Sequence, residues 1–435
     1  MSGTPHIKSL SIAIESTFGS PSATTGLPDA SVLTFTSMEM ERAPLMVVGE
    51  APTDPREDTR ASPHVLPPEV NTPCDENGNP IPRRMGQMTI DMVVTNIGSA
   101  TTFATHADTP IGIMLNSVMQ SSVPPAALAD TLGATLTTTT LTPGILGNYE
   151  DGSGIAINID GIGEYAFVTD ASGPTVTYSP AFSQAPAVGE TMRIGTTYSV
   201  RNDMGNLGPS FALRGDGDGW RWYAAGCRVA ALAITLSPRM VKYSFTVQMA
   251  DVRDDNGDPS VAARTNYVNP VVADGCVAHM GMVKSKVTTA TVNSIASPAA
   301  SAQTPIIVDE FNATLTFTLA AKGTAENVMG ISDYEVTDFV CETEIQASDP
   351  VAALTQDAFV RREQHGLVVG LSNVSVGNGL AIYLPAAALQ ADPNVLDMST
   401  DLIRNTYTFK QGGPWTGDVT SVNAASTVFR LLWGN

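Results

Sequence analysis

Two carboxylates spaced like metal ligands, Asp216 and Asp218, sit in the stretch ALRGDGDGWRWYAAGCRVAALAITL, which runs from Ala212 to Leu236. A calcium loop that began there would need an oxygen ligand two residues later and a glutamate at its twelfth position. Trp220 and Cys227 occupy those places. The overlapping triplet Arg214-Gly215-Asp216 would serve adhesion only on an exposed extracellular loop. Trp220 and Trp222 beside the two aspartates are the sole hint of a sugar-binding groove. A Gly/Asp turn that leads into a strand accounts for all of these residues at once.

Other chemical signatures fare no better. Gly161-Ile162-Gly163-Glu164-Tyr165-Ala166 fits a loose dinucleotide fingerprint, but that motif needs a following helix, and EYAFV reads on as a strand after a hairpin at Asp160-Gly161. No lysine follows a glycine, which excludes a phosphate-cradling G-x-x-x-x-G-K loop, and neither G-x-S-x-G nor H-E-x-x-H occurs. His6, His64, His106, His279 and His365 share no ligand spacing, and His365 falls where a cation would complement a helix C-terminus. Acidic pairs such as Asp254 with Asp255 lie in turn-rich sequence and read as solvated loops. The chain is expected to have no enzymatic activity, no metal and no cofactor.

Composition narrows the class. Among 435 residues, 43 are acidic and 23 basic, for a formal charge of -20, which opposes a grip on nucleic acid that depends on Lys and Arg. Only 15% of residues are charged, against about 25% in ordinary domains, so much of the surface is expected to be covered by partners. Cys74, Cys227, Cys276 and Cys341 form no C-x-x-C pair and read as free thiols of a reducing compartment. The first residues lack a basic leader pattern. The charge-free run from Gly366 to Ala391 is broken by glycines, asparagines and Pro385, so strands and turns suit it better than a membrane span.

The elements that would position any site are mostly strands. KYSFTVQM sets Tyr243, Phe245, Val247 and Met249 against Lys242, Ser244, Thr246 and Gln248, and FNATLTFTL sets Leu315, Phe317 and Leu319 against Thr314, Thr316 and Thr318. GQMTIDMVV, YEVTDFVCETEIQA and RNTYTFK alternate similarly. Within Ala212 to Leu236, the period places Ala230, Leu232, Ile234 and Leu236 on one face and Val229, Ala231, Ala233 and Thr235 on the other. From Met40 to Gly86 the alternation gives way to a Pro-rich arm.

Two helices are expected. DTPIGIMLNSVMQ offers Thr109 as cap, Pro110 in the first turn and a stripe at Ile111, Met114, Leu115, Val118 and Met119. SDPVAALTQDAFVRREQHG offers Asp349, Pro350 and a stripe at Val351, Leu354, Ala358 and Phe359. Each follows an alternating strand and precedes two further β segments, so the order strand, helix, strand, strand occurs twice. The first occurrence carries an insertion at about residues 140–200, whose short strands and regular turns have the rhythm of a small β-barrel. The fold is therefore expected to be mainly β. Residues 1–139 with 201–260 make a first module with its arm at 41–86, 140–200 the barrel, and 261–435 a second module.

IAIESTFGS, GQMTIDMVV with DTPIGIMLNSVM, WRWYAAGCRVAALAITLSPRMVKYSFTVQM and FKQGGPWTGDVTSVNAASTVFRLLWGN together resemble tail tube proteins of long-tailed bacteriophages. The resemblance implies β-sandwich modules flanked by a helix, rings whose inner strands close into a continuous β-barrel, and stacked rings that conduct viral DNA without binding it specifically. It implies localisation in the virion tail after assembly in the bacterial cytoplasm, with a tape measure protein, a tail terminator and a distal tail protein as partners and no membrane. Two modules per chain lead to a trimer with pseudo-sixfold symmetry, the alternative being a hexamer, and to an exterior barrel on a non-contractile tail. Deletion of 140–200 is then expected to leave tubes intact. The assembly residues are Val229, Ala231, Ala233, Thr235, Tyr243, Phe245, Leu315 and Phe317, and glutamate at 231 and 233 is expected to block assembly. The competing readings are a capsid decoration or adhesin protein and, from another class, a β-sandwich hydrolase or carbohydrate-binding protein.

Overall fold

The computed structural model describes residues 7–15, 17–19, 32–33, 37–42, 86–93, 110–119, 121–123, 129–134, 136–159, 162–179, 181–200, 207–217, 221–237, 240–254, 284–289, 303–323, 331–347, 350, 354–370, 380–393, 405–411 and 427–433. The chain is mainly β. Strands β1 (Ile7–Ile14), β2 (Val32–Leu33), β3 (Ser37–Arg42) and β4 (Gly86–Val93) precede helix α1 (Pro110–Val118). Next come β5 (Ser121–Val123), β6 (Ala129–Thr131), β7 (Thr140–Leu141), β8 (Gly154–Ile159), β9 (Ile162–Asp170), β10 (Val176–Ser179) and β11 (Thr191–Ser199). They are followed by β12 (Phe211–Gly217), β13 (Arg221–Ser237), β14 (Met240–Asp254), β15 (Lys284–Thr289), β16 (Gln303–Ile307), β17 (Glu310–Gly323) and β18 (Ile331–Ala347). Helix α2 (Gln356–Arg361) leads to β19 (Gln364–Gly370), β20 (Leu380–Leu389), β21 (Asn405–Gln411) and β22 (Arg430–Trp433). No helix among the described residues is long and apolar enough to cross a membrane.

The strands of the main sheet pair antiparallel in one order that occurs twice. The first run is β2-β1-β12-β13-β14-β4-β3. The second is β16-β15-β19-β20-β21-β18-β17. Members of the two runs also follow each other in the same order along the chain, with a helix after the fourth strand of each. Even an irregularity recurs. The β12–β13 register shifts between Phe211↔Cys227 and Leu213↔Ala224, and the β19–β20 register shifts between His365↔Ala387 and Leu367↔Leu384. Phe211 therefore corresponds to His365, and Cys227 to Ala387. One strand joins the runs: β13 holds β12 along its first half, and from Ala231 to Leu236 it holds β17.

Alternation explains the burial. Met88, Ile90 and Met92 of β4, Tyr243, Phe245, Val247 and Met249 of β14, and Phe311, Ala313, Leu315 and Phe317 of β17 point into one core. Full burial of each large apolar side chain contributes about 1.5–3 kcal/mol. Helix α1 packs against β13 and buries Met114, Leu115 and Met119 of its expected stripe, with Ile111 partly buried and Ile113, outside the stripe, buried as well, whereas Thr109 lies outside the described residues. The second helix departs from expectation. Pro350 is not helical, and α2 starts only after Thr355, whose Oγ1 accepts the Ala358 N–H at 3.2 Å. That capping bond closes a single short helix with Leu354 and Ala358 buried, while Asp349 and Val351 lie outside the described residues. β3 runs through Met40 to Arg42, so regular structure continues two residues beyond the expected start of the arm; residues 43–85 are outside the description.

A second, smaller sheet has the order β6-β11-β8-β9-β10-β7. Its own core contains Leu141, Ile155, Ile157, Val168, Val176, Tyr178, Met192 and Ile194. The Gly133 N–H bonds to the Thr142 carbonyl at 2.8 Å just beyond β6 and β7, the two end strands. Asp130 ties the same region together, accepting from Gly144 N–H at 2.8 Å and from the Tyr149 hydroxyl at 3.1 Å. The sheet starts at Ala129, earlier than the turn rhythm suggests, because β6 has only three residues. Ile159 pairs with Ile162, which leaves two residues for the connection expected at Asp160-Gly161, and β9 does continue as a strand.

Candidate functional site: a polar face across seven strands

In the series β3-β4-β14-β13-β17-β18-β21 the registers set residues in rows, and the strands from β4 to β21 send alternate residues away from the core. One row reads Ser37, Asp91, Ser244, Ala233, Thr314, Glu342 and Lys410. The next reads Lys242, Thr235, Asn312, Glu344 and Thr408, and on the other side lie Glu39, Thr89, Thr246, Ala231, Thr316 and Val340. The face is built of hydroxyls, alanines and carboxylates. Its sides are fastened locally: Ser244 Oγ donates to Asp91 Oδ1 at 2.6 Å. Asp91, Asp338, Glu342 and Glu344 outnumber Lys242 and Lys410 among its described side chains, so the field above it is negative.

The eight residues expected to build the assembly surface divide between the two sides of this sheet. Ala231, Ala233 and Thr235 are on the polar face. Tyr243, Phe245, Leu315 and Phe317 are buried beneath it, Tyr243 and Phe245 meeting edge to face with ring centroids 5.8 Å apart. Val229 is a correction. Strict alternation puts it with Ala231, but Val229 pairs with Val247 and Ala231 with Thr246, so Ala230 is an extra residue that bulges out of the ladder. Val229 thus shares the core side with Leu232. Ala231 stands between Thr246 and Thr316, and Ala233 between Ser244 and Thr314, so within the single chain their neighbours on this face are hydroxyl side chains.

The residues that opened the sequence reading are mostly buried. Arg214 is 3% exposed and Trp222 is fully buried, so the arginine of the Arg-Gly-Asp triplet is not displayed and the Trp222 ring is closed to a sugar. Gly215 lies against that indole and has no room for a Cβ. Asp218 and Trp220 lie outside the described residues, and among those described no group of three or more His, Cys, Asp and Glu could hold a metal. Cys227 and Cys341 are free and buried; burial pushes the Cys341 thiol up to about 12 and the Cys227 thiol well above its usual value. Cys74 and Cys276 are outside the description.

A polar cluster that spacing does not reveal fixes where β13 bends. Glu15, 5% exposed, accepts the Gly226 N–H at 3.0 Å and the Gly19 N–H at 2.9 Å. Burial raises the Glu15 pKa, against the lowering effect of the two backbone bonds. Two residues beyond Gly226, Arg228 donates to both carboxylate oxygens of Asp333 on β18, with Nη2 contacts of 2.9 and 3.0 Å, and to the Gly208 carbonyl. The cluster thereby clamps the first run of strands to the second.

His365 is not a helix-terminal cation. It is fully buried on β19, where the corresponding position of the first run holds Phe211, and Arg361 occupies the last turn of α2 instead. Burial lowers its pKa from 6.5, with Glu363 opposing. The unfolded chain then binds the proton first, so stability is lost as pH falls below 6.5. Each unit of fall removes up to about 1.4 kcal/mol until the folded imidazole also protonates. His365→Phe is expected to fold and to flatten the decline between pH 7 and 5.5 in urea titrations; an unchanged slope would refute the assignment. The other four histidines lie outside the described residues.

The small sheet touches a different part of the molecule. Ala156, Tyr165 and Phe167 pack on Val368, Ala381, Tyr383, Ala386 and Leu432 of β19, β20 and β22, with the Phe167 and Tyr383 rings stacked at 5.2 Å. Its strand β11 then continues into the main sheet, where Thr196 to Ser199 pair with β22. β19, β22 and most of β20 lie outside the seven-strand series, although Ala388 at the end of β20 pairs with Lys410 and extends its row. Comparison with known proteins adds no relatives: no protein-family model matches the chain, and no curated protein matches it.

Proposed function

We propose that the chain is a tail tube protein of a long-tailed bacteriophage, a structural protein whose copies form stacked rings around a DNA conduit, with the seven-strand polar face lining the bore. The observation that carries this reading is the face itself: rows of Thr, Ser and Ala with excess carboxylate run unbroken from one set of strands into the other through the β13–β17 pairing. Such a lining repels phosphate and offers it few cations, which suits passage and not retention.

The matching pairing order and shared register shift support two copies of one module in each chain. Three chains then supply six modules to a ring. The small sheet is an inserted barrel on the outside of the tube, a reading supported by its docking on β19, β22 and the part of β20 that precedes the residue paired with Lys410. Its dispensable part ends before Thr196, because the last residues of β11 hold β22. Cryo-imaging of the purified protein is expected to show hollow tubes with three chains per ring and outward knobs. A small oligomer without tubes would favour a decoration protein, and six chains per ring would refute the two-module count.

A further inference from the structure

The two runs of strands hold different side chains at matching positions of the core. Where β4 carries Met88 and Met92, β18 carries Thr343 and Ala347, and where β12 carries Phe211, β19 carries His365. All six are buried, so the second run closes over smaller and more polar side chains.

His365 is the extreme case. It is fully buried, and neither ring nitrogen has a hydrogen-bond partner among the described residues. The ladder sets Thr289 of β15 and Ala387 of β20 opposite it, and β20 carries no charged residue. Glu363, two residues back, favours the charged ring. Lys286 lies three positions along β15 from Thr289, and Arg361 of α2 is engaged by Asp357 at 3.0 Å. A neutral imidazole persists in such a place, whereas an imidazolium would be a buried charge with two unmet donors.

Relief requires water, and the strands on the two sides of His365 are held unequally. β20 is fixed by β19 on one edge and by β21 and β22 on the other. The β15–β16 hairpin hangs on β19 alone, since among the described residues β16 pairs only with β15. The side that opens is therefore the β15 side.

We propose that the β15–β19 seam is an acid-operated release, in which protonation of His365 frees the β15–β16 hairpin while the matching β1–β12 seam of the first run stays closed. It is a property of the single chain and holds whether or not the chain builds a tube. The open seam takes up a proton at the ordinary imidazole value and the closed one resists it, so opening grows as pH falls below 6.5. The first run has Phe211 instead, and its own titratable group acts in the opposite sense. Glu15, whose N–H bonds to the Ser210 carbonyl at 3.0 Å, has its carboxyl buried beside Arg228 and Cys227. Burial raises its pKa, so the folded chain takes up that proton first and lower pH stabilises the seam.

The test is hydrogen–deuterium exchange of the full chain at pH 7 and pH 5.5, with rates referred to the intrinsic rate at each pH. Opening that takes up one proton at an ordinary imidazole grows by up to about eightfold over that interval. Such acceleration is expected in residues 284–289, 303–307 and 364–370 and absent from 7–14 and 211–217. His365→Phe and His365→Gln both remove the titrating group, and each is expected to abolish the acceleration; if one fails to fold, the other carries the comparison. Equal acceleration at the two seams of the unsubstituted chain, acceleration at neither, or acceleration that survives either substitution would overturn the proposal.

Discussion

Gly226→Ala lowers the stability of the chain by about 2–4 kcal/mol in urea unfolding, an expected result with two separable causes. Gly226 has φ +63°, where a residue with a Cβ costs about 1–2 kcal/mol. A Cβ there would also stand 2.8 Å from the half-buried Phe18 ring and 2.8 Å from the fully buried Ala250 methyl, and overpacking of that kind costs about 1–3 kcal/mol. Gly189→Ala is the control: its φ is +87°, but nothing lies within 4 Å of an added Cβ. It is expected to show the backbone cost alone. Equal losses at the two sites would show that the Phe18 contact contributes nothing. The extra loss at Gly226 would also shift the N–H that Glu15 accepts, and with it the bend that carries β13 from β12 to β17.

The second large effect is expected at Arg228. Arg228→Ala leaves the Asp333 carboxylate without its bidentate partner and the Gly208 carbonyl without a donor. Loss of one member of a fully buried pair costs about 3–5 kcal/mol. Asp333 retains 35% side-chain exposure, and water solvates the abandoned charge, so about 2–3 kcal/mol is expected here. Arg228→Ala with Asp333→Asn should recover part of that loss, since the second change removes the stranded charge. A double variant no more stable than Arg228→Ala would sink the account. Because the pair spans β13 and β18, the single variant should also weaken the docking of one run of strands on the other, visible as faster amide exchange along β17.

The long hairpin strands were legible because their alternation is strict and one face is buried; Tyr243 to Met249 and Leu315 with Phe317 read directly from the chain. The side of Val229 was not legible. A bulge adds one residue to the count, and only the partner strand reveals that Ala230 is the one left over. The second helix was overestimated because an apolar stripe near Pro350 fits helical spacing, whereas the Thr355 capping bond depends on the actual backbone path. His365 looked like a cation after a helix, and its burial depends on β15 and β20 closing around it from distant parts of the chain. For the polar face, each strand's open side was readable, but the rows were not. They depend on which strands are neighbours, and spacing within one segment carries no such information.

The Glu15–Gly226 bond closes a span of 211 positions, and this has a bearing on the order of events during synthesis. Chains emerge from their first residue onward, and local pairings form faster than remote ones. The strands from β6 to β11 find their neighbours within one short stretch, so that unit is complete while β1 still waits for β12. During this interval Ile7–Ile14 has only its two-residue pairing with β2, and a chaperone or a rapid elongation rate would determine how many chains avoid sticking to one another. The early-folding unit is also the last to be secured. Its strand β11 acquires β22 only when residues 430–433 have been made, which couples the synthesis of that distant strand to the final anchoring of the first folded part.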